Sequence, residues 1–237
     1  MRSTGGGRSP AWFFSRRLFR AANLAATPAA LLLSPAGVGA QAAARVPVVG
    51  LPCEGCEAVF VGLPEAPTST SRIAPEDEPG ESMRIEGTVY DAAGRPAAGV
   101  IVYAYHTDAT GAYPSDERLR GDAARHGRLR GWAISDVRGR YRFDTIRPAS
   151  YPDAVTPAHV HMHIIEVACC TYYIDSIQFD DDPRLTPEER ERDSEGRGGP
   201  AVVQPERRGD VWRVRRDIIL GEGVPGYRLA SDPDPGV

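Results

Sequence analysis

Residues 84–90, Arg84-Ile85-Glu86-Gly87-Thr88-Val89-Tyr90, alternate polar and apolar side chains and run into the turn Asp91-Ala92-Ala93-Gly94-Arg95-Pro96. A period of two sends Ile85, Gly87 and Val89 to one face of a strand and Arg84, Glu86 and Thr88 to the other, and a Gly/Pro-bearing turn closes it. The same reading extends outward in both directions. Val100 to Tyr105 is a second strand and Gly131 to Ser135 a third. Asp136-Val137-Arg138-Gly139 reads as a hairpin turn into Arg140-Tyr141-Arg142-Phe143. Ala158 to Val167 pairs with Thr171 to Phe179, and Val211 to Leu220 is the last strand. A short helix fits Pro187 to Arg192, inside the charged stretch from Asp180 to Asp210. Short strands between turn signals, with no long helical period and no internal repeat, specify an all-β antiparallel β-sandwich with long loops and irregular terminal extensions.

The composition bounds the function. A chain of 237 residues, 41% hydrophobic, with 25 Gly and 21 Pro, suits one turn-rich domain with its own core. There is no lysine; all 28 basic residues are arginine, which excludes a lysine Schiff base and a Walker-type phosphate loop. A net charge of -4 argues against a nucleic-acid partner.

The first 40 residues carry Arg2, Arg8, Arg16, Arg17 and Arg20 and no acid, then an Ala- and Leu-rich stretch ending at Val38-Gly39-Ala40. That is the pattern of an export signal. Pro28 and Pro35 interrupt it, so it is not read as a membrane span. Ser15-Arg16-Arg17-Leu18-Phe19-Arg20 fits a bacterial twin-arginine signal, the alternative being a general secretory signal. The expected organisation is an export signal at 1–40, an arm or linker at 41–82, the sandwich at 83–222 and a tail at 223–237, in a periplasmic or extracellular protein. Cys53, Cys56, Cys169 and Cys170 allow three disulfide pairings. A second Cys-x-x-Cys and a strand-to-helix setting are both lacking, so a structural disulfide tying down the N-terminal segment is expected over a redox or zinc pair.

His159-Val160-His161-Met162-His163 concentrates three of the five histidines on one face of one strand. Each imidazole offers one nitrogen, so this face reads as a metal site, with zinc and copper open on the histidines alone. Two tyrosines in loops, Tyr113 in Thr110-Gly111-Ala112-Tyr113-Pro114 and Tyr151 in Arg147-Pro148-Ala149-Ser150-Tyr151-Pro152, precede it.

This order, Tyr, Tyr, then His-x-His, resembles the intradiol ring-cleavage dioxygenases. Ile85 to Val89 with Asp91, Gly94 and Pro96 is similar to that family's opening strand and turn, and Ser135 to Pro148 to its central hairpin. The resemblance covers residues 83–179. It implies that Tyr113, Tyr151, His159 and His161 bind Fe(III), with Tyr113 and His159 equatorial and Tyr151 and His161 axial. His163 is implied to lie behind the ligands or at the surface. The implied reaction opens a catechol-type ring with O2 between its two hydroxyl-bearing carbons to a muconate-type dicarboxylic acid. Two tyrosinates and a hydroxide balance a trivalent ion. If hydroxide and Tyr151 each take one proton from the substrate, charge balance is kept. Tyr151, Gln178 and Arg130 are the expected catalytic residues, with Arg147 as another candidate guanidinium, and assembly into a homo-oligomer follows the family habit. Thr156 stands where catalytic members usually carry an arginine. Two other readings remain: a transthyretin-like binding module without turnover, and a zinc or copper protein built on His159, His161 and His163.

Overall fold

The computed structural model describes residues 47–227 apart from 54, 154 and 193–195; the export signal expected at 1–40 lies outside the described residues. Eleven strands are described: β1 Thr70–Arg72, β2 Ser82–Tyr90, β3 Ile101–His106, β4 Arg130–Ile134, β5 Arg140–Ile146, β6 His159–Ile165, β7 Thr171–Phe179, β8 Val202–Val203, β9 Glu206–Arg208, β10 Val211–Arg215 and β11 Ile218–Ile219. One sheet has the order β1-β5-β2-β10-β9, with β11 also on β2, and the other β4-β3-β6-β7-β8. The central pairs β2/β5, β3/β4, β3/β6 and β6/β7 are antiparallel. Parallel pairing enters where late or early segments join: β1 on β5, β10 and β11 on β2, and β8 on β7. The fold is an all-β sandwich, as the strand pattern indicates. Its core joins Ile85, Val89 and Phe143 of one sheet to Val102, Val160 and Ile164 of the other.

Two expectations for the strands change. The turn Asp136–Gly139 does not close a hairpin: β4 and β5 belong to different sheets, so the chain turns a corner between layers. A tight turn is compatible with either outcome, and the ladders decide. β4 pairs with β3 on one edge, while the Ile134 N–H on the other donates to the Thr68 carbonyl at 3.0 Å. The last strand is split at Arg216 and Asp217. The Arg216 guanidinium is turned inward against the carbonyls of Gly198 and Arg197, and the Asp217 carboxylate accepts the Thr88 N–H at 2.8 Å. Gly87 exists for this contact: a Cβ there would sit 1.8 Å from the Arg216 carbonyl oxygen. The family-like alternation of β2 thus carries a glycine because another backbone crosses it.

The stretch 47–82 is built into the fold. Besides β1 it supplies a 3-10 helix, Cys56–Val59, with Ala58 and Val59 fully buried. The Trp132 indole N–H donates to the Val59 carbonyl at 2.7 Å, and Tyr103, Tyr105 and Trp132 pack with Val59 in a second cluster on the outer face of the β4-β3-β6-β7-β8 sheet. Disulfides do not anchor this segment, contrary to expectation. Cys53 pairs with Cys56 and Cys169 with Cys170, both locally. Backbone bonds anchor it instead, Val49 N–H to Thr171 O and Thr171 N–H to Pro47 O.

Candidate metal centre

Strand β6 splits its side chains between the two clusters. Val160, Met162 and Ile164 face the core between the sheets, and His159, His161 and His163 face outward under the loops. Opposite His161 the β6/β7 ladder shifts register between Val160 and Met162, an irregularity of the kind that re-aims a side chain beside a site. The Ser176 hydroxyl lies 3.2 Å from His161 Nδ1.

The two tyrosine loops are held to one another before they reach the histidines. The Asp108 carboxylate accepts the Thr110 and Ala112 N–H groups at 2.8 and 3.1 Å, shaping the turn that presents Tyr113. The Thr107 hydroxyl donates to Ala149 O at 2.7 Å, and the Ala149 N–H donates to Asp108 O at 3.1 Å, so the loop of Tyr151 is fastened to the loop of Tyr113. Between them Gly111 has φ 83°, and a Cβ there would meet Ser150 O at 2.1 Å. Asp182 adds a further brace, accepting the Ala158 N–H at 2.8 Å and the Ser150 hydroxyl at 3.2 Å.

The four expected ligand atoms converge. Tyr113 Oη lies 2.8 Å from Tyr151 Oη and 3.0 Å from His161 Nε2; His161 Nε2 lies 3.0 Å from His159 Nε2; His159 Nε2 lies 3.4 Å from Tyr151 Oη. Donors about 2 Å from a common cation stand about 2.9 to 3.4 Å apart. His159 Nδ1–H donates to the Pro157 carbonyl at 2.8 Å, which fixes the tautomer and turns the Nε2 lone pair toward the other three atoms. Burial holds His159 and His161 below the usual imidazole range, and the neighbouring His159 adds to this at His161. Burial and the Tyr151 hydroxyl push the Tyr113 phenol above its ordinary value. A lone pair aimed at three other basic atoms fits a cation, and two hard phenol oxygens favour a trivalent one.

Tyr105 and His126 complete the site and were not evident from sequence. Tyr105 stacks on His161 with ring centroids 4.5 Å apart, and His126 stacks on Tyr105 at 3.8 Å while its Nδ1 meets Tyr103 Oη at 2.9 Å. The usable signal was positional: Tyr105 on β3 is the register partner of His161. His163 lies behind the ligands, buried among Tyr103, Tyr105 and Tyr173. Gln178 is the register partner of His159 and shares its face. Arg130 is not brought to the site. Its guanidinium pairs with Asp116 at 3.0 Å and donates to the carbonyls of Ala58 and Val61, pinning the 3-10 helix. Arg147 is engaged with Asp181 and lies over the Phe179 and Trp212 rings. Thr156 bonds through both amide and hydroxyl to Asp153.

A cavity of about 1040 Å³ opens beside Tyr113, Tyr151 and His161. Of its lining side chains Arg125 and Asp153 are charged. Among the described residues no helix is long and apolar enough to cross a membrane.

A family model described as Dioxygenase matches residues 59–190. The chain is 28% identical over 131 residues to the protocatechuate 3,4-dioxygenase beta chain of Burkholderia cepacia, a stretch covering 49% of this chain and 52% of that one. It therefore spans about half the length of this relative. The dioxygenase domain of a dioxygenase–carbohydrate-binding protein fusion from Streptomyces sp. SirexAA-E is similar in structure, with TM-score 0.51 and 20% identity over 73% of this chain and 97% of that one. Catechol 1,2-dioxygenase from Acinetobacter sp. ADP1, in a form inhibited by bound mercury, gives TM-score 0.51 and 22% identity over 71% and 63%. At these identities the structural likeness establishes the fold.

Proposed function

The chain belongs to the intradiol ring-cleavage dioxygenase family, and on that premise we propose that it uses Fe(III) and O2 to open a catechol-type ring between its two hydroxyl-bearing carbons. One observation carries this reading: Tyr113 Oη, Tyr151 Oη, His159 Nε2 and His161 Nε2 meet within 3.4 Å of their ring neighbours at the edge of a cavity. When bound, a ferric ion supplies the charge that holds a deprotonated diol and the electronic activation that makes its ring reactive toward O2.

The residues of the chain divide the remaining tasks. His159 and His161, neutral and fixed in orientation, serve as ligands without charge. Tyr113, half-buried like Tyr151, would stay a phenolate ligand and balance charge throughout. Tyr151 faces the cavity from its braced loop and takes a proton at its phenol oxygen as the diol arrives. Gln178, the register partner of His159, does not line the cavity; its side-chain oxygen is buried without a hydrogen-bond partner, which fits a positioning role behind His159 rather than a substrate contact. Arg125 offers a guanidinium at the cavity wall. The cavity, of about 1040 Å³, has room for a larger plant- or lignin-derived catechol as well as for catechol, protocatechuate or hydroxyquinol. An export signal at 1–40 accords with substrates met outside the cytoplasm.

The deciding experiment is O2 uptake by the purified protein with a broad catechol panel, the products identified by mass. Tyrosinate-bound Fe(III) is coloured, so the protein is expected to be reddish and to yield products heavier than substrate by two oxygen atoms. A colourless protein holding stoichiometric zinc overturns the iron assignment. Full colour and activity in Tyr151→Phe overturns the role of that residue. The engagement of Thr156 with Asp153 favours one second reading, a metal-bearing binding module without turnover, for which a red protein inert to the whole panel would be the sign.

A further inference from the structure

A second set of metal-ligating atoms lies against the same cavity. The Sγ atoms of Cys53 and Cys56 and a ring nitrogen of His163 all fall within 4.8 Å of one another. Cys53 and His163 line the cavity beside Tyr113 and His161. His163 is 4% exposed, and its Nδ1 is buried without a hydrogen-bond partner. A buried ring nitrogen without a partner calls for a reason in a chain where His159 and His106 both place their Nδ1 on backbone carbonyls. Cys53 and Cys56 form a disulfide, so the two sulfurs are already adjacent.

We propose that Cys53, Cys56 and His163 form a redox-gated site for a thiophilic cation such as Zn²⁺ or Cu⁺, closed as the disulfide and opened on its reduction. A dithiol reductant supplies the two electrons and two protons, itself closing to a disulfide, as the Cys53–Cys56 S–S bond breaks and yields two thiols. A divalent cation then displaces both thiol protons and gains two thiolates and one imidazole. The fourth position faces the cavity, where water or a small ligand can bind. A tetrahedral S, S, N set needs separations of about 3.5 to 3.8 Å, so the two sulfurs must part by about 2 Å, or about 1 Å each, and the ring nitrogen already lies within 4.8 Å of both. Thiolate donors select cations of this class over Fe(III), which keeps the site chemically distinct from the phenol and imidazole set. Because Cys53, His163 and Tyr151 line the same cavity, a cation held there would share that space with a substrate bound at Tyr151.

The test uses full-length protein and Co²⁺ as a spectroscopic reporter, since thiolate-bound Co²⁺ absorbs in the near ultraviolet and phenol or imidazole ligation does not produce that band. A water-soluble tertiary phosphine reduces the disulfides, becoming a phosphine oxide with oxygen taken from water. One equivalent of Co²⁺ with the thiolate band is expected in the reduced wild type, and none in the oxidised wild type, a comparison that requires no substitution. The band should persist in Cys169→Ser/Cys170→Ser and vanish in Cys53→Ser/Cys56→Ser. His163→Ala should weaken Co²⁺ binding by more than the roughly 10–100-fold that loss of an outer partner causes. The proposal is overturned if reduction gives no thiolate band, if the band survives loss of Cys53 and Cys56, or if His163→Ala binds as tightly as wild type. The result stands apart from the ring-cleavage reading, because colour from tyrosinate and O2 uptake are read separately.

Discussion

On one face of β6, Val160, Met162 and Ile164 are at most 1% exposed and belong to the apolar core between the two sheets; on the other, His159, His161 and His163 sit in the same ladder under loops and aromatic rings. The two faces share every backbone hydrogen bond, so the strand itself does not distinguish them. The inward face contributes volume and dryness, which other apolar side chains of similar size can supply. The outward face contributes atoms at fixed positions, which no other side chain reproduces. The division means that stability and chemistry are separable along a single seven-residue strand.

The largest break in that comparison is expected from His161→Ala. On the proposed assignment, loss of a ligand would remove several kcal/mol of charge stabilisation, so O2 uptake should fall by about a thousandfold or more and the visible colour should bleach, while the urea midpoint moves little. Ile164→Ala should do the reverse, lowering unfolding free energy by about 2–5 kcal/mol while turnover per iron-loaded folded molecule holds steady. Loss of iron from folded Ile164→Ala would show that the faces are coupled after all.

Acid sharpens the contrast through His106, which lies fully buried with its Nε2 2.7 Å from Thr145 Oγ1 of the opposite sheet and its pKa pushed down to about 4 by burial. The unfolded chain protonates this residue below about pH 6.5, and the folded chain only near 4. Its contribution is therefore complete above pH 6.5 and lost as pH falls toward 4, by up to about 1.4 kcal/mol per pH unit. Urea midpoints between pH 6.5 and 4.5 should fall less steeply in His106→Gln than in wild type; equal slopes would count against it. The smallest effect is expected from Tyr105→Leu, which removes the ring stacked on His161 and should weaken iron retention against a chelator by about 10–100-fold with little change in turnover of the loaded enzyme.

Much of the chemistry was readable because it is encoded locally. Alternation alone put three histidines on one face, and two loop tyrosines in family order supplied the other donors. What escaped was encoded between distant segments. Nothing near Asp136–Gly139 reveals that β4 and β5 seek partners in different layers. Arg130 looked available because its partner, Asp116, and the carbonyls of Ala58 and Val61 come from elsewhere in the chain. Val59 and Trp132 likewise show their bond only once the segment at 56–63 folds over the sheet. Tyr105 was visible as a strand residue, yet its stacking partner depended on a register that periodicity does not fix.

The bonds from Thr107 and Ala149 that join the two phenol-bearing loops bear on how ligands exchange. With both backbones clamped to the same two residues, neither loop can swing away without the other. On the proposed reading, a departure of the Tyr151 oxygen from the metal would then reduce to rotation of one ring about its own side-chain torsions over a stationary hinge. Such rotations are far quicker than loop opening, so turnover in this architecture should show little sensitivity to solvent viscosity until product escape sets the pace.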